Sequence, residues 1–138
     1  VLCNEHRTLE RNGQHIIIAG MENDGDGKKF PQRGDLSKTL AGVAEGAFVL
    51  MLEHDPYSWR HRILPGCKAQ LTLSGHTHGG QMLEINLVGQ LTGANDKTYG
   101  MEKRDNTTFI VTSGISDWSI KFKTGTNSEF VIVDVVPE

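Results

Sequence analysis

The chain has 138 residues, a formal net charge of −3 and a pI near 6.1. Hydrophobic residues make up 37% of it and charged residues 22%, a composition typical of a folded globular chain rather than a disordered one. Without a basic surplus, general nucleic-acid binding is not expected, and no apolar stretch is long enough to span a membrane. Cys3 and Cys67 lack a Cys-x-x-Cys spacing, so we expect ordinary thiols.

The first elements in chain order are predicted to be a strand, a loop and a helix. Ile16–Ala19 is a short β-branched run that predicts a strand, and the polar stretch 22–34 predicts a solvated loop. Asp35 is a good N-cap for a helix. Apolar residues recur at helical spacing from Leu36 to Ala47, and Gly46 suits the end of such a helix. We expect this helix to cover the sheet.

Two apolar runs predict buried parallel strands, and histidine follows each of them. Ala47–Leu52 precedes His54, and Ala69–Leu73 precedes the stretch 74–81. Asp55 and the proline after it suit the N-cap and first position of a short helix through Ile63. His54 is therefore predicted to lie at a strand-to-helix junction.

The remainder of the chain predicts strands and turns. Residues 83–87 alternate apolar and polar side chains, as in a half-buried strand, and 89–100 is loop-like. Asn106 is expected to turn one strand into the next. The expected fold class is α/β, with a mixed sheet and few helices.

Residues 74–81 read Ser-Gly-His-Thr-His-Gly-Gly-Gln and are the most informative stretch. A strand that ends in His-x-His sends both imidazoles to one side of the sheet, and the glycines leave room for an ion. Ligand sites in open α/β sheets gather beyond the carboxyl ends of strands. We therefore expect His54, His76 and His78 to face one crevice and bind metal. The alternative is that these histidines are surface residues that bind no metal.

Together with His54-Asp55-Pro56, the sequence Gly-His-Thr-His-Gly-Gly-Gln resembles the C-terminal half of a calcineurin-like metallophosphoesterase. The resemblance extends to Gly20–Asn23 as a short strand and turn, and to 108–115 and 129–133 as a closing strand pair. It implies the C-terminal half of a layered α/β sandwich.

Three further motifs of that family are not found in this sequence: Asp-x-His, Gly-Asp-x-x-Asp or Asn, and the Gly-Asn-His-Asp or Glu that carries the catalytic histidine. Asp35 begins like the second, but Lys38 stands where its second carboxylate belongs. We therefore expect residues 1–138 to be the C-terminal portion of a single metallophosphoesterase domain, inactive alone, with the N-terminal metal-binding half absent. Catalytic residues and compartment stay unassigned, and any targeting segment or membrane anchor is expected in that other half.

The resemblance implies a two-metal centre that hydrolyses a phosphomonoester, phosphodiester or pyrophosphate bond. His54 and His76 would bind one divalent ion and His78 the other. Manganese, iron, zinc, nickel and cobalt all suit imidazole, and this chain alone is expected to hold one ion or none. Lys121 lies where similar proteins carry an arginine that faces the substrate, although Lys121 and Lys123 also suit a charged strand edge.

Several alternatives stay open from the sequence. The chain could be a non-catalytic binding module, or less plausibly a metallo-β-lactamase-type hydrolase, because glycines rather than Asp-His follow His78. Trp59 and Trp118 could form a binding surface, but we expect both to pack. Gln81 could orient either the glycine turn or a metal-bound water. We also expect self-association through the face that the absent strands would cover.

Overall fold

The structure is a computed structural model that describes residues 1–25, 27–28, 31–67, 69–82, 91, 98–119 and 121–136. Its strands are β1 (Glu5–Arg11), β2 (Gln14–Gly20), β3 (Val49–Leu52), β4 (Leu71–Ser74), β5 (Gly100–Arg104) and β6 (Thr107–Val111). Its helical segments are α1 (Leu36–Thr39), a π-helical turn (Trp59–Ile63) and α2 (Leu64–Gly66). The predicted strand at 83–87 and most of the predicted loop at 89–100 lie outside the described residues.

The strands form one six-stranded sheet in the order β1-β2-β3-β4-β6-β5. Strands β2, β3, β4 and β6 are parallel, whereas β1 and β5 pair antiparallel at the two edges. This mixed sheet with few helices confirms the predicted α/β fold class. Because the four inner strands run the same way, their carboxyl ends meet at a single edge of the sheet.

The helical segments α1, the π-helical turn and α2 pack on one face of the sheet and build the core there. Strand alternation brings Ala19, Met51 and Phe109 to this face, and all three are fully buried. The indole of Trp59 stacks on the ring of Phe109, with the ring centroids 4.5 Å apart and the planes 8° from parallel. Trp59 is 1% exposed, so its predicted packing role is confirmed.

The opposite face is less well covered. Ile18, Leu50 and Ile110 point to it and are only half-buried, and Leu52 is 38% exposed. In the described part of the chain, extended pieces of the C-terminal segment 130–136 lie along this face. Clefts remain between them and the strands. A large apolar surface is thus left without helical cover from the described part of the chain.

The predicted closing strand pair is corrected by the structure. Residues 107–111 do form β6, but β6 pairs with β4 and β5. Residues 129–133 form no strand ladder, and a backbone bond from Glu129 N to Gly114 O at 3.1 Å joins them to the loop after β6. Both sides of β6 are already occupied, so the later segment has no strand partner there.

The hairpin of β1 and β2 was not predicted from the sequence. Its turn is Asn12-Gly13, with φ of 52° and 75°. Asn-Gly between two strands is the usual signal for a tight hairpin turn, because both residues tolerate positive φ. The hairpin was missed because β1 is a mostly exposed edge strand, and its charged residues do not show the apolar pattern of a buried strand.

The predicted helix from Asp35 is much shorter than expected. Its N-cap is confirmed, since the Asp35 carboxylate accepts from Lys38 N at 2.9 Å. The helix ends at Thr39, and Gly42 adopts a φ of +81° that an α-helix cannot contain. The apolar residues from Leu40 onward still pack against the core, but from an irregular segment.

The predicted helix from Asp55 to Ile63 is shifted along the chain: the π-helical turn begins at Trp59, with Ser58 as its N-cap, and α2 continues to Gly66. Asp55 instead stabilises the turn before it, since its carboxylate accepts from Tyr57 N at 3.0 Å. In the described part of the chain, no helix has both the length and the apolar character needed to cross a bilayer. Cys3 and Cys67 are both free.

Candidate metal centre

The candidate site lies at the carboxyl edge of the sheet, where backbone bonds extend the strand pairing beyond the strands. Glu53 N donates to Leu73 O at 3.2 Å, and Gly75 N donates to His54 O at 3.1 Å. These bonds place the residues after β3 directly against the residues after β4. The junction that carries His54 and the turn that carries His76 are therefore neighbours by sheet register.

The two histidines of the glycine-rich motif do not lie on a strand, which corrects the alternation argument. Strand β4 ends at Ser74, and His76 and His78 both have positive φ, 62° and 50°. Thr77 N donates to Gly75 O at 2.7 Å, which closes a γ-turn around His76. Gly80 N donates to Thr77 O at 2.8 Å, and both central residues of that turn have positive φ, as in a type I′ turn.

These successive turns bring two of the predicted ligands together. The imidazoles of His54 and His76 meet edge to face, with their ring centroids 5.2 Å apart and an interplanar angle of 78°. His78 Nδ1 lies 3.1 Å from the carbonyl oxygen of Ser116. Because a carbonyl only accepts, the proton belongs on Nδ1, and Nε2 of His78 is left as the ring's lone-pair donor.

The arrangement of imidazoles fits only part of a metal centre. Among the described residues, no group of three or more His, Cys, Asp or Glu side chains is arranged to hold an ion. Asp55 comes nearest as a carboxylate, with Oδ2 3.9 Å from His76 Nε2, but its Oδ1 also accepts from Tyr57 N. The structure thus brings the rings of His54 and His76 together, without a third described side chain that would complete a metal-binding group.

Electrostatics favour the form of His54 that binds metals. Although His54 is an exposed residue, desolvation by the surrounding strand ends lowers the pKa of its imidazole, and His76 and His78 lower it further. Asp55 acts in the opposite direction. A lowered pKa keeps the ring neutral at physiological pH, which is the state with a lone pair available for coordination.

Two carboxyl groups buried beside the site were not singled out from the sequence. Burial raises the pKa of Glu53 to about 8, so this side chain is a neutral acid at pH 7. Its Oε1 accepts from Asp55 N at 2.9 Å and from Asp24 N at 3.4 Å. It therefore ties the loop after β2 to the junction that carries His54.

Asp24 corrects the prediction of a solvated loop at 22–34. Asp24 is fully buried, and its carboxylate lies 2.5 Å from Nε of Arg62 on the π-helical turn. Burial raises the pKa of Asp24, and the Arg62 cation opposes that shift. No pattern in the sequence separates this aspartate from Asp26 two residues later, because the partner lies far along the chain.

Gln81, the last residue of the motif, anchors the glycine turn to a loop after β6. Its amide Nε2 donates to Trp118 O at 3.0 Å and to Phe122 O at 3.1 Å, and its Oε1 accepts from Trp118 N at 2.6 Å. Gly79 packs tightly here too, since an added Cβ would lie 2.8 Å from Ser113 Cβ. Of the two predicted roles for Gln81, these contacts favour orientation of the turn.

The two lysines near the site differ in their surroundings. Lys123 Nζ donates to Ser113 O and Gly114 O, each at 3.0 Å, so it stabilises the loop that faces His78. Lys121 is exposed, and no described residue contacts its ammonium. Residues 121–123 are not in a strand, which corrects the prediction of a charged strand edge.

A cleft of about 370 Å³ opens beside His54, between the ends of the strands. Leu52, Leu73 and Thr112 line it from the less covered face of the sheet. A larger cleft of about 840 Å³ lies near Arg11, and its lining includes none of His54, His76 and His78. The smaller cleft is the relevant one because it holds a candidate ligand at the carboxyl edge.

Comparison with known proteins gives the class of this chain. A transmembrane protein with metallophosphoesterase domain from Bos taurus is 28% identical over 137 residues, covering 93% of this chain and 30% of that protein. Its namesake from Danio rerio is 27% identical over 134 residues, with the same two shares. An uncharacterized metallophosphoesterase from Helicobacter pylori is 31% identical over 105 residues, covering 75% of this chain and 28% of that protein.

The chain is a relative of the calcineurin-like metallophosphoesterases, which confirms the relationship predicted from the sequence. It spans about 30% of the length of these relatives. No family model and no solved structure matches it.

Proposed function

We propose that this chain is the C-terminal portion of a metal-dependent phosphoesterase domain. In this proposal, His54, His76 and His78 are imidazole ligands of a two-metal centre that hydrolyses a phosphomonoester, phosphodiester or pyrophosphate bond. The carboxylate ligands, including the one that bridges the ions, come from outside these 138 residues. The chain alone is then inactive and holds one ion or none.

One observation carries the proposal. His54 and His76 come from segments more than 20 residues apart, yet their rings are 5.2 Å apart at the carboxyl edge of the sheet. His78 is held two residues away by turns with positive φ. Strained non-glycine backbone concentrates where a side chain must be held in position for function. Surface histidines without a function would not require this strained backbone.

The residues of this chain have distinct tasks in the proposed centre. Burial and neighbouring imidazoles hold His54 neutral, Asp55 faces Nε2 of His76, and the carbonyl of Ser116 fixes the tautomer of His78. Lys121 attracts the phosphate of the substrate as an exposed point charge. When bound, divalent ions neutralise phosphoester charge and lower the pKa of water. Manganese, iron, zinc, nickel and cobalt remain candidates.

The test uses the complete protein, a generic aryl phosphodiester and manganese. Replacement of His76 or His78 by alanine should reduce kcat/KM more than about 100-fold, because loss of a ligand exceeds the usual effect of its supporting residues. The control is His15→Ala, an exposed histidine near the other edge of the sheet. Unchanged turnover in both site variants would reject the assignment and favour a non-catalytic binding module.

The less covered face of the sheet supports a further part of the proposal. Leu50, Ile110 and Leu52 present apolar surface there, and exposed surfaces of this kind mark interfaces. We propose that the isolated chain self-associates through this face. Light scattering at high concentration tests this, and a strict monomer would contradict it.

Two relatives are named as transmembrane proteins. We propose that any membrane anchor of the complete protein lies outside these 138 residues.

A further inference from the structure

A loop with large exposed apolar side chains borders the candidate site. We call residues 115–119 and 121–122 the apolar loop. Ile115 is 75% exposed, Trp118 is 68% exposed and Phe122 is 52% exposed. The prediction that Trp118 packs is therefore wrong, whereas the other tryptophan, Trp59, is fully buried.

The apolar loop is fixed to the histidine turn by its backbone. Gln81 is 7% exposed, and its side chain makes the bonds to the main chain of Trp118 and Phe122 described above. His78 contacts the carbonyl of Ser116, which belongs to the same loop. A single buried side chain, three residues from a candidate ligand, thus holds the backbone of both exposed aromatic residues.

This fixation matters because binding to a mobile loop costs the free energy of ordering that loop. A loop whose backbone is already bonded avoids part of that cost. Aromatic side chains add large contact area with few rotatable bonds. Lys121 lies between the two aromatic residues in sequence, and its exposed ammonium can attract a phosphate.

We propose that Ile115, Trp118 and Phe122 form the subsite for the organic group of the phosphoester, and that this group carries a planar aromatic ring. The inference rests on the proposed phosphoesterase function, since the histidines and Lys121 then hold the phosphate end. Two aromatic side chains that flank a lysine in sequence match a ligand with a flat ring at one end and a phosphate at the other.

The test compares two non-hydrolysable phosphonates as inhibitors of the complete protein. Phenylphosphonate and methylphosphonate share the charged group and differ in the ring, so the ratio of their inhibition constants isolates contact with the aromatic group. We expect phenylphosphonate to bind about tenfold more tightly, as stacking of one ring on an aromatic side chain predicts. Trp118→Ala should reduce this preference to about twofold, and Trp118→Phe should retain most of it.

Met101→Ala is the matched control, since Met101 is also 68% exposed but lies on the edge strand β5. It should leave the preference unchanged. Suppose that hydrolysis still depends on His76. Equal inhibition by the two phosphonates, or a preference for phenylphosphonate that survives Trp118→Ala, would then overturn the subsite alone. Hydrolysis that is absent, or indifferent to His76→Ala, would overturn the proposed function and the subsite together.

A lipid surface is the competing occupant of these side chains. Sedimentation with phosphatidylcholine vesicles measures it directly. If Trp118→Ala abolishes vesicle binding but leaves the preference for phenylphosphonate unchanged, the apolar loop binds a membrane and not the substrate. Absence of vesicle binding with a lost preference supports the subsite.

Discussion

The helix-covered face of the sheet and its carboxyl edge differ in the residues that build them. The face is apolar and regular, and Trp59 and Phe109 stack within it. The edge holds two histidines with positive φ and three buried carboxyl groups, on Asp24, Glu53 and Asp55. Strain and buried polar groups cost free energy, which the apolar core must offset. Stability therefore resides mainly in one region and chemical specialisation in the other.

The largest effect should come from the core. Trp59→Ala removes a fully buried indole and its stacking contact with Phe109, so we expect the free energy of unfolding to fall by about 3–5 kcal/mol. Urea denaturation followed by circular dichroism measures it. Trp118→Ala provides the matched control, because this exposed indole should change stability by less than about 0.5 kcal/mol. Equal losses in the two variants would contradict the contrast between the regions.

The second effect concerns the buried acid at the edge. Burial raises the pKa of Glu53 to about 8 from an ordinary 4.5, so between these values the folded chain binds more protons than the unfolded chain. The free energy of unfolding should therefore decrease as the pH rises, by about 3 kcal/mol between pH 5 and pH 8. Urea midpoints with a chelator present measure this dependence.

Glu53→Gln is the control for this pH dependence. Glutamine keeps the carbonyl oxygen that accepts from Asp55 N and Asp24 N, but it does not titrate. Its stability should therefore not show the decrease with rising pH that Glu53 causes. If the variant and the original chain lose stability in parallel, another group is responsible.

A smaller effect is expected for the ion pair at the same edge. Arg62→Met leaves the fully buried Asp24 carboxylate without its cation, which should cost about 2–3 kcal/mol. The cost stays moderate because Asp24 can take up a proton. Adding Asp24→Asn should recover most of the loss. Arg104→Met, which breaks a partly exposed pair with Glu102, should cost less than about 1 kcal/mol by the same urea measurement.

A double variant no more stable than Arg62→Met would show that the arginine stabilises through packing rather than charge.

The same contrast explains how much was predictable from the sequence. Apolar periodicity predicted β3, β4 and the positions of the histidines after them, because burial of those strands depends on their own residues. It failed at α1, where Gly42 ends the helical pattern through its backbone conformation. It also missed Asp24 and the anchoring bonds of Gln81, since their partners lie about 40 residues away in sequence. Local patterns carry no information on such contacts.

The smallest effect tests the strain at the edge itself. His76 has a φ of +62°, which costs a residue with a Cβ about 1 kcal/mol relative to glycine. His76→Gly should therefore be about 1 kcal/mol more stable than His76→Ala, although both lack the imidazole. At His15 in β2 the order should reverse, because extended backbone has φ near ordinary values and glycine only adds unfolded-state entropy. Urea midpoints of the four variants decide the matter. Glycine less stable than alanine at both positions would mean that the γ-turn stores no strain, and that the turn holds His76 without cost to the fold.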